Sequence, residues 1–182
     1  KMAQKTATLI GATGLIGSQI LQQLLEDADF AHINVLVRRP LDLAHPKVKV
    51  ILLDFADEAA YQAAIAGSDA VFCTVGTTLK QVNSDMVAYR KIDYDIPVNA
   101  ARFCAATACP KFLLVTSIGA SSHSRNFYQK LKGEVEEKVG SLGLSSVSIF
   151  RPSMLLGQRA EFRLGERIGQ VLIGVLAFMI PA

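Results

Sequence analysis

No block of like charges interrupts this chain. Its 19 Lys and Arg and 16 Asp and Glu residues are scattered and leave a net charge of +3. A nucleic-acid binder concentrates its basic residues, so no nucleic-acid partner is expected. Repeats and low-complexity linkers are missing as well, and the 182 residues are expected to form a single domain over the whole chain. Cysteine is scarce. Cys73, Cys104 and Cys109 show no C-x-x-C spacing, so no metal site is expected. An odd number of cysteines without a signal peptide fits small, buried, reduced thiols in a cytoplasmic protein. The N-terminus has no basic region followed by an apolar run and a cleavage site. The longest apolar run, Ile168 to Ala182, is about 15 residues and is interrupted by Gln170. A bilayer span needs about 20, so this run reads as a core or interface helix. The chain stops just after Pro181 without a polar tail, which suggests that C-terminal residues are missing.

What is present is a strongly apolar chain, 51% hydrophobic, long enough to bury a sizeable core. Short β-rich runs recur at Thr6–Ile10, Ile33–Val37, Val48–Leu53, Asp69–Val75, Lys111–Ser117 and Ser145–Arg151. They are apolar on both faces, as strands of a buried parallel sheet are. Helical patterns lie between most of them: Leu15–Glu26, Glu58–Ala66, a long stretch Asp85–Thr107 kinked at Pro97, and Asn126–Ser141. Arg38 to Lys47 is too short for a full helix and contains Pro40 and Pro46, so that crossover is expected to be a loop. The alternation predicts a doubly wound α/β domain with a mostly parallel sheet.

The first strand runs into "GATGLIG", with Gly11, Gly14 and Gly17, and a helix begins inside the motif. This spacing permits a tight turn, close approach of a pyrophosphate, and close packing of helix on strand. The N–H groups of Leu15, Ile16 and Gly17 open the helix and face the phosphates, with Thr13 and Ser18 as added hydroxyl donors. A dinucleotide is the expected ligand.

At the end of the second strand, where an NAD site places an acidic residue for the ribose 2′-hydroxyl, the chain has Arg38 and Arg39 in "LVRRP". Guanidinium groups bind a 2′-phosphate by charge-assisted hydrogen bonds, so NADP(H) is expected over NAD(H). The competing reading makes one arginine a solvated surface residue. Asp54, after the third strand, either accepts from the adenine amino group with Phe55 nearby, or caps its own loop. Val75 and Gly76, in "TVGTT", leave the fourth strand where backbone can pass close to the coenzyme.

Tyr128 and Lys132 stand four apart in "NFYQKLKGEVE" and share one face if the segment is helical. Spacing alone also fits a common surface pair. An ammonium beside a phenol favours the phenolate and suits the tyrosine to general acid/base work. Ser117, at the end of the fifth strand, is placed to hold the same substrate oxygen.

Together, "GATGLIG", Ser117 and "YQKLK" resemble the short-chain dehydrogenase/reductase superfamily, a Rossmann-fold group, across nearly the whole chain. "LVRRP", "CTVGTT", "FYxxxKGEVE" and "FRPSMLLG" are similar to an atypical branch, the Tat-interacting-protein-like oxidoreductases. The resemblance implies that Tyr128 is the acid/base, that Lys132 binds the nicotinamide ribose and tunes Tyr128, and that Ser117 orients substrate. It places Arg151 and Pro152 beside the nicotinamide. It also implies a small C-terminal segment that forms the substrate pocket. Where many members carry an Asn, this chain has Asp93, an acceptor only when ionised. Arg159, Arg163 and Arg167 form either a basic face or a solvated helix side paired with Glu161 and Glu166, and His123 and Tyr94 are further candidates for the cleft. A homodimer through the long fourth and fifth helices, or a protein partner, is a superfamily habit.

The expected function is NADP(H)-dependent oxidation and reduction of a small alcohol or carbonyl compound. The rivals are a coenzyme-sensing regulator with little catalysis, and an epimerase or dehydratase that uses the coenzyme transiently.

Overall fold

A computed structural model of the protein describes residues 4–153. Six strands, β1 (Lys5–Ile10), β2 (Phe30–Val37), β3 (Val48–Leu52), β4 (Ala70–Cys73), β5 (Phe112–Val115) and β6 (Val147–Phe150), form one sheet. Their order is β3-β2-β1-β4-β5-β6, and every neighbouring pair is parallel. The helices are α1 (Leu15–Glu26), α2 (Glu58–Ile65), α3 (Met86–Arg90), α4 (Ile96–Ala106) and α5 (Phe127–Gly140). This is the doubly wound α/β architecture expected from the alternation, and residues 38–47 cross from β2 to β3 without a helix. The arginine series after Gln158 and the apolar run from Ile168 lie outside the described residues.

Alternation along the strands feeds two cores. Ala7 and Leu9 of β1 join Ile33 and Val35 of β2 and Leu24 of α1 on one face. Ile10, Leu36, Val71 and Leu114 join Tyr61 and Ile65 of α2, Phe103 of α4 and Val135 of α5 on the other. Helices therefore cover both faces of the sheet, and its interior strands are apolar on both sides. The outer strands β3 and β6 are less buried, with Leu52 and Phe150 exposed.

The long helix expected from Asp85 to Thr107 is divided. It starts where expected, with the Asp85 carboxylate accepting from the N–H groups of Val87 and Ala88 at 2.8 and 3.0 Å. Between α3 and α4, Lys91–Asp95 forms a π-helical turn. Pro97 lacks the N–H that would bond the Asp93 carbonyl, and its ring crowds that carbonyl in an α turn. The wider π turn relieves the conflict. At its far end α4 closes with the Cys109 N–H on the Cys104 carbonyl at 2.9 Å and Ala108 at φ 55°. This closure brings the first and last residues of the cap together. All three cysteines are buried free thiols. Burial pushes Cys73 up to about 11, and a hydrogen bond from Cys104 draws Cys109 down to about 7.

Candidate functional site

In a parallel sheet all strands end on one edge, so the loops after β1, β2, β4 and β5 open on a common rim. The loop after β1 is the tightest. Gly11 has φ +92°, and a Cβ there would stand 2.7 Å from Thr74 Oγ1, so only glycine suits the position. A Cβ on Gly17 would collide with the Gly11 carbonyl. α1 can start this close to the strand end only because Gly17 has no side chain. The Gly14 N–H closes the turn on the Gly11 carbonyl at 3.0 Å. Thr74 Oγ1 braces it by donating toward the carbonyls of Ile10 and Gly11, at 3.1 and 3.2 Å.

No side chain caps α1, and its first turn holds no acidic residue. The N–H groups of Leu15, Ile16 and Gly17 have no carbonyl one turn back within the helix. Thr13 and Gly14 are exposed beside them. Unpaired N–H groups and the positive end of the helix dipole at this turn can hold an anion. Ser18 is turned away, with its hydroxyl on the Leu15 carbonyl at 3.0 Å.

Arg38 and Arg39 are both exposed where the chain leaves β2. Asp54 is exposed too, and Oδ1 accepts from the Ala56 N–H at 2.9 Å; it caps its own loop. Phe55 packs edge-on against Tyr61, with ring centroids 4.8 Å apart, so its ring belongs to the core. Val75 is half-buried, and Gly76 is exposed and within the ordinary range of φ. A Cβ at Gly76 would meet only Asp93, at 3.8 Å.

Ser117 lies just past β5. It is only 9% exposed, yet its Oγ has no hydrogen-bond partner among the described residues. A buried hydroxyl without a partner is uncommon and calls for an explanation, such as a bound water or a ligand atom. Tyr128 occupies the first turn of α5, which Asn126 caps by accepting from the Gln129 N–H at 3.1 Å. Tyr128 is half-buried. The Lys132 ammonium lies 5.9 Å from the centre of the Tyr128 ring and is 4% exposed. Lys132 of Y-x-x-x-K is thus buried beside a half-buried Tyr128.

Lys132 has a partner that sequence spacing did not reveal. Its Nζ stands 2.9 Å from Oδ1 of Asp93, which is 0% exposed. The other Asp93 oxygen accepts the Thr77 N–H at 2.7 Å. One turn beyond Lys132, the buried Glu136 accepts from Thr116 Oγ1 at 2.5 Å and from Arg151 Nε at 3.0 Å. Arg151 Nη2 joins the same carboxylate. The Glu136 carboxylate holds the Arg151 guanidinium above its usual range. Arg151 therefore turns toward α5, and the Pro152 carbonyl accepts the Ile118 N–H at 2.9 Å. The series Tyr128, Lys132, Glu136 was readable as one helix face. Its partners on other elements were not.

Further along, a Cβ on Gly133 would collide with the backbone at Ser121 and Ser122, so α5 lies directly on the loop that follows Ser117. His123 is exposed in that loop. Tyr94 is covered by the Arg90 guanidinium, 4.0 Å from its ring centre.

A family model described as NAD(P)H-binding matches residues 11–146. Protein HTATIP2 of Rattus norvegicus is 34% identical over 97% of this chain and 73% of its own length. Protein FMP52, mitochondrial, of Candida albicans is 34% identical over 90% of this chain and 73% of its own. Among solved structures, the Bordetella bronchiseptica enzyme WbmH in complex with NAD+ is similar in fold. Its TM-score is 0.73 at 20% identity, covering 94% of this chain and 64% of that one. Uronate dehydrogenase from Agrobacterium tumefaciens gives a TM-score of 0.62 at 19% identity, covering 75% of this chain. The chain spans 55% of the uronate dehydrogenase chain.

Proposed function

This chain belongs to the NAD(P)H-binding family, and on that footing we propose that it is an NADP(H)-dependent oxidoreductase acting on a carbonyl or alcohol of a small molecule. The observation that carries this reading is the buried Lys132 ammonium beside the Tyr128 ring. A lysine is seldom fully buried unless its charge has a use or a partner. The turn from Gly11 to Gly17 would hold the pyrophosphate, and Arg38 and Arg39 the 2′-phosphate. NADPH supplies a hydride when bound. Tyr128 donates its hydroxyl proton to the substrate oxygen as charge develops there, or takes one from the alcohol in reverse. The Ser117 hydroxyl, which has no hydrogen-bond partner among the described residues, holds that same oxygen.

The test is NADPH oxidation against a panel of aldehydes, ketones and quinones, beside Tyr128→Phe. Turnover is expected on at least one, with kcat at least about 100-fold lower in the variant, the usual scale of a lost general acid. NADPH affinity should change by no more than about threefold, because the phenol hydroxyl is a minor part of a large binding surface. Undiminished turnover in Tyr128→Phe removes the mechanism. Tight NADPH binding without turnover on any compound replaces the enzyme with a coenzyme-sensing regulator.

A further inference from the structure

Asp93 is the least accessible charged residue of the site, and both of its carboxylate oxygens are engaged by different elements. Oδ1 meets Lys132 of α5 at 2.9 Å, and Oδ2 meets the Thr77 N–H, in the loop that leaves β4, at 2.7 Å. Both neighbours are hydrogen-bond donors, and neither can accept. An asparagine at this position can offer its oxygen to one of them only, and must then point its NH2 at the other donor. A carboxylate alone presents an oxygen to both: Oδ2 accepts the Thr77 N–H, and Oδ1 meets the ammonium as an ion pair without hydrogen-bond geometry. The π turn ahead of Pro97 carries this carboxylate into the sheet's rim, which gives the local distortion of the helix a purpose.

We propose that Asp93 is a positioning residue that fixes the Lys132 ammonium against the loop leaving β4, so that Lys132 reaches Tyr128 and the coenzyme from one defined place. Its use for catalysis rests on the oxidoreductase reading; the clamp itself does not. Asp93 also neutralises a lysine that is 4% exposed, which lets the ammonium stay buried before any ligand arrives.

The experiment is a set of four proteins: the full chain, Asp93→Asn, Lys132→Gln, and the two substitutions combined. Lysine ammonium groups held in buried ion pairs exchange their protons slowly, so Lys132 is expected to give an Nζ–H correlation in a 15N spectrum, assigned by its absence in Lys132→Gln. In Asp93→Asn that correlation should vanish. NADPH affinity, read by fluorescence titration, should fall about tenfold in Asp93→Asn but less than about twofold when the same change is made on Lys132→Gln, because coupled residues are not additive. With 9,10-phenanthrenequinone as probe, Asp93→Asn should lower kcat and leave KM for the quinone within about twofold. An Nζ–H correlation that persists unshifted in Asp93→Asn overturns the proposal. So does an equal loss of NADPH affinity in both backgrounds. Should Asp93→Asn fail to fold with its ammonium uncompensated, Lys132→Gln against the double variant still decides. A tenfold further loss of NADPH affinity there contradicts action through Lys132, and affinities within twofold support it. A full chain that binds NADPH but never reduces the quinone counts against the oxidoreductase reading alone, since the spectrum and the titration need no turnover.

Discussion

Arg38 and Arg39 tie together none of the described residues. Both are exposed at the end of β2, and neither makes an ion pair or hydrogen bond with the described residues, unlike Arg90 and Arg151, which pair with Glu134 and Glu136. An exposed guanidinium without a carboxylate partner adds little to stability. Replacing either by alanine should therefore leave stability unchanged within about 0.5 kcal/mol. NADPH affinity should fall about 10- to 100-fold, the worth of a charge-assisted hydrogen bond or two. NADH affinity should stay within about twofold, because NADH carries no 2′-phosphate. Titration of both coenzymes against both variants checks this, and a wild-type protein that binds NADH as tightly as NADPH removes the preference. Asp54 makes the opposite case. One of its oxygens already serves the turn at Ala56, and Phe55 has gone to the core against Tyr61. What stands after β3 is first a piece of folding.

The opening turn and α1 act as one unit, and their glycines have separable duties. Gly17→Ala sets a methyl against the Gly11 carbonyl, so α1 must move off the strand end, at a cost on the order of 2–4 kcal/mol. Gly14 is extended, and a Cβ there would lie 3.3 Å from the same oxygen. Gly14→Ala should cost about 1 kcal/mol or less in urea unfolding yet weaken NADPH binding at least tenfold if, as proposed, a pyrophosphate approaches the backbone at this turn. Equal loss of stability in both variants would mean that the glycines serve only the turn. This much was legible in the sequence, since strand, turn and helix are consecutive and the glycine spacing is local. So were the alternation of elements, the helixless crossover at 38–47, and the shared face of Tyr128 and Lys132. What the sequence hid is long-range. Asp93 reads there as a departure from an expected asparagine, and only the packed fold sets its two oxygens between Lys132 and Thr77. Pro97 announces a disturbance in the helix but not that it takes the form of a π turn. Glu136 lies on the Tyr128 face by spacing, yet its ties to Thr116 and Arg151 come from the ends of β5 and β6. Thr74 opens "TVGTT", but nothing in that stretch pointed to its hydroxyl bracing the glycine turn.

Across the whole molecule these pieces lie along one rim: the turn after β1, the arginines after β2, Gly76 after β4, Ser117 after β5, and Lys132 reaching in from α5. A dinucleotide held by all of them would bridge strands from both sides of β1, and unfolding would release it entirely. Binding then stabilises the native state by mass action. At a concentration about 100 times its dissociation constant a ligand adds about 2.7 kcal/mol. For a chain of 182 residues each kilocalorie is worth roughly 2–4 °C, so NADPH at that level should raise Tm by about 5–10 °C. NADH, if it binds about 100-fold more weakly, adds about 0.4 kcal/mol at the same concentration, a shift of about 1 °C. Replacing Arg38 and Arg39 together by alanine should bring the NADPH shift down to the NADH value. Equal shifts by the two coenzymes in the unaltered protein would defeat the 2′-phosphate assignment while leaving the cradle intact. If neither coenzyme moves Tm at millimolar concentration, the rim does not bind a dinucleotide, and the buried Lys132 has to be explained by Asp93 alone.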